Sequence, residues 1–325
     1  MLFTLPENRQ PDSPMTTAFY SHSDCRLHEM GSGHPECPQR LDAIDDYLLG
    51  TGLKDALDLR EAPLVNLRDV ELAHDSGYVA ELKDLLEQVS ASGDPRAIDP
   101  DTVAGPGTWR AALRAAGAAV AATDAVLDGE VENAFCSVRP PGHHATRHEA
   151  MGFCFFNNVV VAARHALDVR GLKRVAIVDF DVHHGNGTED IVAGDERILM
   201  VSIFQHPLYP YCGGVPKGDN MCNVPVPPYT RGPEVRELIE AMWMPRLEAF
   251  KPQMIFISAG FDAHREDDLG QLGLVEADYE WITHRVKAVA ERYAKGRIVS
   301  CLEGGYALDA LARSVATHIR VLADV

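Results

Sequence analysis

The chain has 325 residues, 46% of them hydrophobic and 24% charged, which is typical of a globular protein with a large core. No run approaches about 18 uncharged apolar residues, and no basic segment precedes an apolar one at the start, so neither a membrane span nor a signal peptide is indicated and we expect a cytoplasmic protein. The net charge of -18 disfavours direct binding to nucleic acid and would attract cationic partners such as basic peptides or polyamines, although acidity for solubility alone explains it equally well.

The seven cysteines are an odd number, and no two of them form a Cys-x-x-Cys pair. This pattern argues against a disulfide framework and against a thiolate zinc site. We therefore expect free thiols, several of them in the core.

The first 14 residues contain three prolines and few apolar residues. We predict a flexible N-terminal extension, 1–14, followed by a single domain, 15–325, with Met15 as an alternative start. A first strand is predicted at 17–20 and a loop at 21–40. The spacing of the three histidines in this loop matches no metal-ligand pattern, and we interpret them as ordinary loop residues in contact with solvent. They are His22, His28 and His34.

Beyond this loop, apolar residues three or four apart predict helices, and short β-branched runs predict strands. Helices are predicted at 41–49, 76–90, 109–127, 158–167, 276–293 and 308–322, with another that starts at Pro233 and is broken by Pro245. Strands are predicted at 134–138, 175–178, 198–203, 254–258 and 297–302. The alternation predicts an α/β domain with a mostly parallel sheet covered by helices on both faces. In such a fold the functional site lies at the carboxyl ends of the strands.

The stretch 174–188 carries the strongest chemical signal. Asp179, Asp181 and His183 alternate with apolar residues, so an extended chain would present all three polar side chains on one side. Glycines at 185 and 187 permit a tight turn behind them. Burying such groups unpaired would cost several kcal/mol each, which favours a divalent metal of the zinc type. A catalytic zinc normally needs three protein ligands, so a further one must come from elsewhere.

Reactive residues follow most of the later strands. His143 and His144 follow the strand at 134–138, Asp262 follows the strand at 254–258, and Tyr306 follows the strand at 297–302. Each piece is weak when taken singly. Together they supply a missing metal ligand, imidazole bases and a hydroxyl donor, which is the set that amide hydrolysis requires.

Five segments resemble the zinc-dependent histone deacetylase family, in its class II and bacterial histone-deacetylase-like amidohydrolase branch. They are Arg-Pro-Pro-Gly-His-His at 139–144, Gly-Phe-Cys-Phe-Phe-Asn at 152–157, Asp-Phe-Asp-Val-His-His-Gly-Asn-Gly-Thr at 179–188, Ser-Ala-Gly-Phe-Asp-Ala-His at 258–264 and Glu-Gly-Gly-Tyr at 303–306. The likeness runs in order from about residue 18 to the C-terminus. It implies the arginase-deacetylase fold and a single zinc ion per chain.

By this resemblance, Asp181, His183 and Asp262 would hold zinc, which would polarise the scissile carbonyl and acidify its bound water. His144 would be the general base that later protonates the leaving amine, with His143 as its electrostatic partner.

The resemblance also implies the residues that support this chemistry. Asp179 would orient His143 and Asn186 would orient His144, so that the two histidines hold different protonation states. Tyr306 would donate its hydroxyl to the oxyanion of the tetrahedral intermediate.

The family's acyl-lysine tunnel maps onto a further set of residues. Phe153 and Tyr209 match its two aromatic walls, and Tyr209 departs from the usual Phe by adding a hydroxyl near the mouth. Asp101 matches the loop residue that accepts a hydrogen bond from the substrate, with Asp99 as the alternative. Gly152 would leave room for the acyl end. Two more residues complete the predicted substrate contacts, Leu269 and Gly304.

The family also binds monovalent cations, typically potassium. The matching ligands are backbone oxygens of Asp179, Asp181, His183 and Ile203, together with the Asp179 carboxylate and the Ser202 hydroxyl. All are oxygen donors, as a hard cation prefers.

Three alternatives to an acyl-lysine hydrolase stay open. An acetylpolyamine amidohydrolase would share the chemistry, but its polyamine-selective relatives carry a glutamate where this chain has Leu269; Asp267 and Asp268 nearby would still attract an ammonium group. An arginase-like binuclear manganese enzyme would need further carboxylates where Asn186 stands. A noncatalytic acyl-lysine binding module would not need Tyr306.

The sequence leaves the acyl group, the physiological substrate and the oligomeric state open, a homo-oligomer included.

Overall fold

The computed structural model describes residues 16–325, so the predicted extension 1–14 and Met15 lie outside the described residues. Its centre is an eight-stranded sheet in the order β2-β1-β5-β10-β9-β6-β7-β8, and every neighbouring pair is parallel. The strands of this sheet are β1 (Thr17–Ser21), β2 (Asp58–Glu61), β5 (Asn133–Cys136), β6 (Val175–Asp179), β7 (Ile198–Gln205), β8 (Met221–Val226), β9 (Ile255–Ala259) and β10 (Ile298–Leu302). A separate antiparallel pair consists of β3 (Arg96–Ala97) and β4 (Val103–Ala104).

The helices form two packed groups. In one group α4 packs on α3 and α5, and in the other α10 packs on α1 and α9. The ten α-helices of the described chain are α1 (Gln39–Gly50), α2 (Leu67–Val70), α3 (Ser76–Ser92), α4 (Thr108–Leu127), α5 (Asn158–Arg164), α6 (Asn186–Val192), α7 (Gly232–Leu238), α8 (Met244–Phe250), α9 (Glu276–Tyr293) and α10 (Leu308–Ala323). The predicted α/β class with a mostly parallel sheet and covering helices is confirmed.

Strand order positions the site. The strands β5, β10, β9 and β6 are consecutive neighbours in the sheet, and all are fully buried. Cys301 pairs with Cys136 on one side of β10 and with Ser258 on the other, and Asp179 pairs with Ser258. Because parallel strands end at the same edge, the four segments that follow them meet there.

Several elements differ from the sequence prediction. The edge strand β8 is not predicted, because Asn223 and Pro225 interrupt its apolar run. The edge strand β2 has the polar sequence Asp-Leu-Arg-Glu, which carries no apolar run to reveal it. The helix α6 begins inside the predicted ligand turn, at Asn186. Pro245 does not end its helix, because a π-helical turn at Ile239–Trp243 precedes α8 and Pro245 occupies the first turn of that helix, where a missing N–H costs little.

All seven cysteines lie in the described chain and are free, as predicted, and five of them are buried. Within residues 16–325, none of the helices combines the length and the hydropathy that crossing a membrane requires.

Candidate active site

The three predicted metal ligands meet at the carboxyl edge of β6 and β9. Asp181, His183 and Asp262 each offer a ligand atom, and these atoms all lie within 4.8 Å of one another. The Nδ1 atom of His183 lies 3.0 Å from a carboxylate oxygen of Asp181 and 3.1 Å from one of Asp262. Both carboxylates are almost completely buried, at 1% and 0% exposure. The arrangement is therefore a compact donor set of one imidazole and two desolvated carboxylates.

Backbone groups hold these ligands in place. The N–H of Gly304 donates to Asp181 at 2.8 Å, and the N–H of Val182 donates to Asp262 at 2.9 Å. A Cβ at position 304 would lie 2.0 Å from an oxygen of Asp262, and one at Gly260 would lie 2.1 Å from an oxygen of Asp181. Only glycine fits at these two positions, because the ligand carboxylates pack directly against the backbone.

The predicted histidine pair adjoins this cluster, and each ring has a different partner. His143 Nδ1 lies 3.0 Å from the Asp179 carboxylate, and His144 Nδ1 lies 2.7 Å from the amide oxygen of Asn186. The NH₂ group of Asn186 faces the sulfur of Met151 at 3.3 Å, which orients the amide. Since an amide oxygen only accepts, His144 carries its proton on Nδ1 and presents an unprotonated Nε2.

The environment separates the two histidines further. Burial opposes protonation of His143, but the carboxylates of Asp181 and Asp179 outweigh it and hold its pKa well above the usual range. Burial and the neighbouring His143 cation hold the pKa of His144 well below the usual range. One ring is therefore a cation beside carboxylates, and the other is a neutral base.

A narrow cavity of about 210 Å³ leads to these groups. Its lining includes the predicted base His144, the predicted metal ligand His183 and most of the predicted tunnel residues. They are Asp101, His144, Gly152, Phe153, His183, Leu208, Tyr209, Tyr211, Leu269 and Tyr306. The Tyr306 ring has two close neighbours. The guanidinium carbon of Arg40 lies 4.9 Å from the ring centroid, and the centroid of the Phe153 ring lies 6.0 Å away. Burial raises the pKa of the Tyr306 hydroxyl well above its usual range, so it remains a proton donor.

The chain is similar to known proteins along most of its length. A family model described as a histone deacetylase domain matches residues 34–322. A probable deacetylase of Archaeoglobus fulgidus is 39% identical over 303 residues, covering 91% of this chain and 82% of the relative. A histone deacetylase-like amidohydrolase of Pseudomonas aeruginosa is 37% identical over 314 residues, covering 89% and 81%.

The chain belongs to the histone deacetylase family. The crystal structure of the HDA15 HD domain superposes with a TM-score of 0.87 at 32% identity, covering 95% of this chain and 90% of that one. The chain is therefore a hydrolase that acts on linear amide bonds, which is the activity of the deacetylase family.

Of the two loop carboxylates considered for substrate binding, one lines the deacetylase cavity. Asp101 lines the cavity, whereas the carboxylate of Asp99 accepts the backbone N–H groups of Asp101 and Thr102. Asp99 is thereby engaged in holding the loop, which favours Asp101 as the group that faces a substrate. Burial and the adjacent Asp99 raise the pKa of Asp101 to about 6.

Two glycines predicted to contact substrate have different positions. Gly152 lines the cavity at a φ of +56°, and a Cβ there would lie 2.5 Å from the His144 ring. Its missing side chain makes room for the His144 imidazole. Gly304 is packed against the ligand carboxylates and is not part of the cavity lining, so its predicted contact with substrate stays a prediction.

The predicted potassium ligands are close in the sheet. Asp179 pairs with Ser202 across β6 and β7, and both are 1% exposed. The carbonyl of Ser202 accepts the Trp243 indole N–H at 3.3 Å, and Ile203 follows in the same buried strand. These contacts do not test whether a cation binds, so potassium stays a prediction.

Sequence reasoning missed a buried carboxylate beneath the histidine pair. Glu303 is fully buried, and one of its oxygens accepts the backbone N–H groups of Gly142 and His143 at 2.6 and 3.1 Å. The other accepts the Ser258 hydroxyl at 2.9 Å. Glu303 therefore ties three of the four site segments together. Its place beside Gly304 in the quoted motif was a signal, but only the strand order reveals its partners.

The interpretation of the loop histidines as solvent residues is wrong. The His22 side chain is only 14% exposed and accepts the Asp24 N–H at 2.9 Å. His28 is fully buried and lies 2.8 Å from the Thr108 hydroxyl. His34 packs edge-on against Phe153, with ring centroids 4.8 Å apart, and donates through Nε2 to the carbonyl of Asp101 at 3.1 Å. The loop 21–40 folds back over the cavity rim, a tertiary contact that the spacing of the histidines could not indicate.

Proposed function

We propose that the protein is a zinc-dependent deacylase that removes acyl groups, acetyl foremost, from lysine side chains of peptides or proteins. The observation that carries the proposal is the convergence of Asp181, His183 and Asp262 at the end of a narrow cavity that is also lined by His144 and Tyr306. A substrate held in this cavity would meet the metal ligands, a base and a hydroxyl donor together.

The donor set fits zinc. One imidazole and two carboxylates supply three nitrogen and oxygen ligands of the kinds that zinc binds, which leaves a coordination position open for water and substrate. Burial and the nearby Asp181 raise the pKa of the Asp262 carboxyl to about 7, which marks a pair of buried carboxylates that a bound cation would stabilise. When bound there, zinc would supply Lewis-acid polarisation of the substrate carbonyl and acidification of water.

The chain's own residues would move the protons. The unprotonated Nε2 of His144 would accept a proton from the attacking water and return it to the leaving amine, while Asn186 holds the other ring nitrogen. The His143 cation, held by Asp179, would stabilise negative charge that develops nearby. The Tyr306 hydroxyl would donate a hydrogen bond to the oxyanion.

The shape of the cavity supports a linear substrate arm. Phe153 and Tyr209 are aromatic walls, and Leu208 and Leu269 add apolar surface, which suits the methylene chain of lysine. Asp101 at the rim is an acceptor for a backbone N–H of the substrate. A noncatalytic binding module would have no use for the oriented histidine pair. The arginase-like alternative would need a second metal, and Asn186 is engaged with His144 and not free to hold one.

An acetylpolyamine substrate is the second candidate. Asp101, a carboxylate in the cavity lining, would favour a cationic small molecule. Asp267 does not contribute to this, because its carboxylate accepts three backbone N–H groups. Leu269, at the position where polyamine-selective relatives carry glutamate, favours acyl-lysine.

The test compares turnover of an acetyl-lysine peptide and N-acetylputrescine by the same preparation, before chelation, after chelation and after zinc is restored. We expect peptide hydrolysis that chelation abolishes and zinc restores, with slower turnover of the polyamine. Preference for the polyamine would overturn the substrate assignment, and activity that survives complete metal removal would overturn the mechanism.

Potassium, a cytoplasmic location and the absence of nucleic-acid partners remain predictions. For potassium, we expect activity in a potassium salt to exceed that in the same concentration of a tetramethylammonium salt, since the larger ion cannot reach the buried Asp179 and Ser202.

A further inference from the structure

Asp267 has an unusual set of partners for an acidic residue near the cavity rim. It is only 5% exposed, and one of its oxygens accepts the backbone N–H groups of both Tyr306 and Ala307, at 2.6 and 2.9 Å. The other oxygen accepts the N–H of Leu269 at 3.0 Å. A single carboxylate thus joins a residue of the cavity wall to the backbone of the predicted hydroxyl donor. Charged acceptors make stronger hydrogen bonds than neutral ones, so this link is a firm one.

The backbone at Tyr306 needs such a link. Two glycines precede the tyrosine, and Gly305 has a φ of +119°, a conformation that L side chains rarely adopt. The helix α10 starts only after Ala307, so no helical hydrogen bond fixes the tyrosine backbone. The contact of Phe153 is with the ring, whereas Arg40 lies over the ring and also donates from Nε to the Gly305 carbonyl at 2.6 Å. Arg40 and Asp267 therefore hold the two sides of the peptide from which the tyrosine projects, Arg40 its carbonyl and Asp267 its N–H. Asp267 also joins this peptide to the backbone of Leu269.

We propose that Asp267 is a positioning residue that holds the Tyr306 hydroxyl at the oxyanion site and couples it to the Leu269 wall. The inference rests on the proposed role of Tyr306. The side chain of Asp267 does not line the cavity and would touch neither substrate nor metal, so its effect passes through the tyrosine backbone. A hydroxyl that donates to a developing charge must be held within a fraction of an ångström, since a displacement of about 1 Å costs up to about 100-fold in rate.

The conservative change Asp267→Asn tests this link. It keeps one acceptor oxygen but replaces the other by an NH₂ group, which cannot accept a hydrogen bond. We expect kcat on an acetyl-lysine peptide to fall by about 10- to 100-fold, with KM changed by less than about threefold, because the ground-state contacts of the substrate are intact. The matched control is Asp309→Asn, which makes the same change on an exposed residue of α10 outside the site, and we expect it to keep the wild-type kcat.

A double-mutant cycle separates positioning from general destabilisation. If Asp267 acts through the Tyr306 hydroxyl, Asp267→Asn should have no further effect on kcat once Tyr306→Phe is present. Losses that multiply in the double variant, or a single Asp267→Asn variant with wild-type kcat, would overturn the inference. If Tyr306→Phe itself keeps the wild-type rate, the proposed mechanism fails, which is a distinct outcome.

A second variant covers the case in which Asp267→Asn does not fold. Asp267→Glu keeps the charge but moves the carboxylate by one methylene group, so it should also lower kcat and should again be silent in the Tyr306→Phe background. Unfolding midpoints of all variants, measured alongside, identify any that are not folded. A folded Asp267→Glu variant with wild-type kcat would count against the inference.

Discussion

Two sites with buried carboxylates differ in the groups that compensate the negative charge. Glu36 is fully buried between Arg139, whose guanidinium donates to it at 2.6 Å, and Arg40, which donates at 3.1 Å. Burial works against the charge of Glu36, but Arg139 and His28 outweigh it and hold its pKa well below the usual range. Asp181 and Asp262 are equally buried, yet their side-chain partners are histidines.

The difference distinguishes a structural site from a chemical one. At Glu36, fixed guanidinium groups neutralise the carboxylate, and the three side chains hold loop segments together. At Asp262, burial and Asp181 raise the pKa to about 7, so the site favours any added positive charge. A carboxylate at the same depth is therefore neutralised by fixed cations in one place and left to attract an added cation in the other, according to the partners that the fold provides.

The largest effect is expected at the paired site. Glu36→Gln would leave two buried guanidinium groups without their carboxylate, and we expect a loss of about 3–5 kcal/mol in the free energy of unfolding, measured in urea. Glu61→Gln, on an exposed carboxylate, should change it by less than about 0.5 kcal/mol. Equal stabilities of the two variants would show that the Glu36 pairing does not support the fold.

The second prediction concerns rate and not stability. Tyr306→Phe should raise the activation barrier by about 2.7 to 4 kcal/mol, the effect of removing one oxyanion donor. The measurement is kcat on an acetyl-lysine peptide, with the unfolding midpoint as its control. We expect the midpoint to stay close to that of the wild type, because the ring contacts with Arg40 and Phe153 are kept. An unchanged rate would remove Tyr306 from the mechanism.

A neutral buried histidine sharpens the comparison by showing burial without a charged partner. His318 bonds to the Thr283 and Ser300 hydroxyls at 2.7 and 2.9 Å, and burial lowers its pKa to about 3. The unfolded chain takes up a proton near pH 6.5 while the folded chain resists it, so stability present above pH 6.5 is lost as the pH falls towards 3. We expect this histidine to contribute a slope of about 1.4 kcal/mol per pH unit between pH 6 and 4.

The variant His318→Gln should remove that slope from urea unfolding curves recorded over the same pH range. The matched control is His284→Gln, since His284 is exposed and its removal should leave the slope unchanged. A wild-type slope in His318→Gln would assign the acid sensitivity to other residues.

The smallest effect is expected at the chemical site. Asp262→Asn keeps an acceptor for the Val182 N–H and removes one of two adjacent buried negative charges. In protein stripped of metal by chelation, we expect its free energy of unfolding to lie within about 1 kcal/mol of the wild type, in contrast to Glu36→Gln. A loss of 3 kcal/mol or more would make Asp262 a structural residue like Glu36.

Much of the sheet and of the chemistry was predictable from the sequence, because both rest on local patterns. Short β-branched runs revealed the central strands, and the polar residues that follow them revealed the candidate metal ligands. Both edge strands were missed, β2 because it carries no apolar run and β8 because Asn223 and Pro225 interrupt its apolar run. The α6 start was missed for a different reason, since two glycines favour a turn until neighbouring segments fix a helix.

The contacts that a residue makes across the fold were not predictable. The sequence gives no spatial order for strands, so the link from Glu303 to Gly142 and the link from Asp267 to Tyr306 required coordinates. The burial of His28 and the contacts of His34 depend on how the loop 21–40 packs on the rest of the fold, and no spacing rule describes that. These are long-range hydrogen bonds, which pattern reasoning does not address.

The position of β10 has a consequence for synthesis. Residues 298–302 form the strand between β5, at 133–136, and β9, at 255–259. On the ribosome, the two halves of the sheet would emerge early but could not join until this late strand arrived. The nascent chain would meanwhile expose two apolar strand edges that invite mispairing, and its folding would be slow because the decisive pairings span long stretches of chain. We therefore expect the protein to depend on chaperones in the interval between translation of β9 and translation of β10.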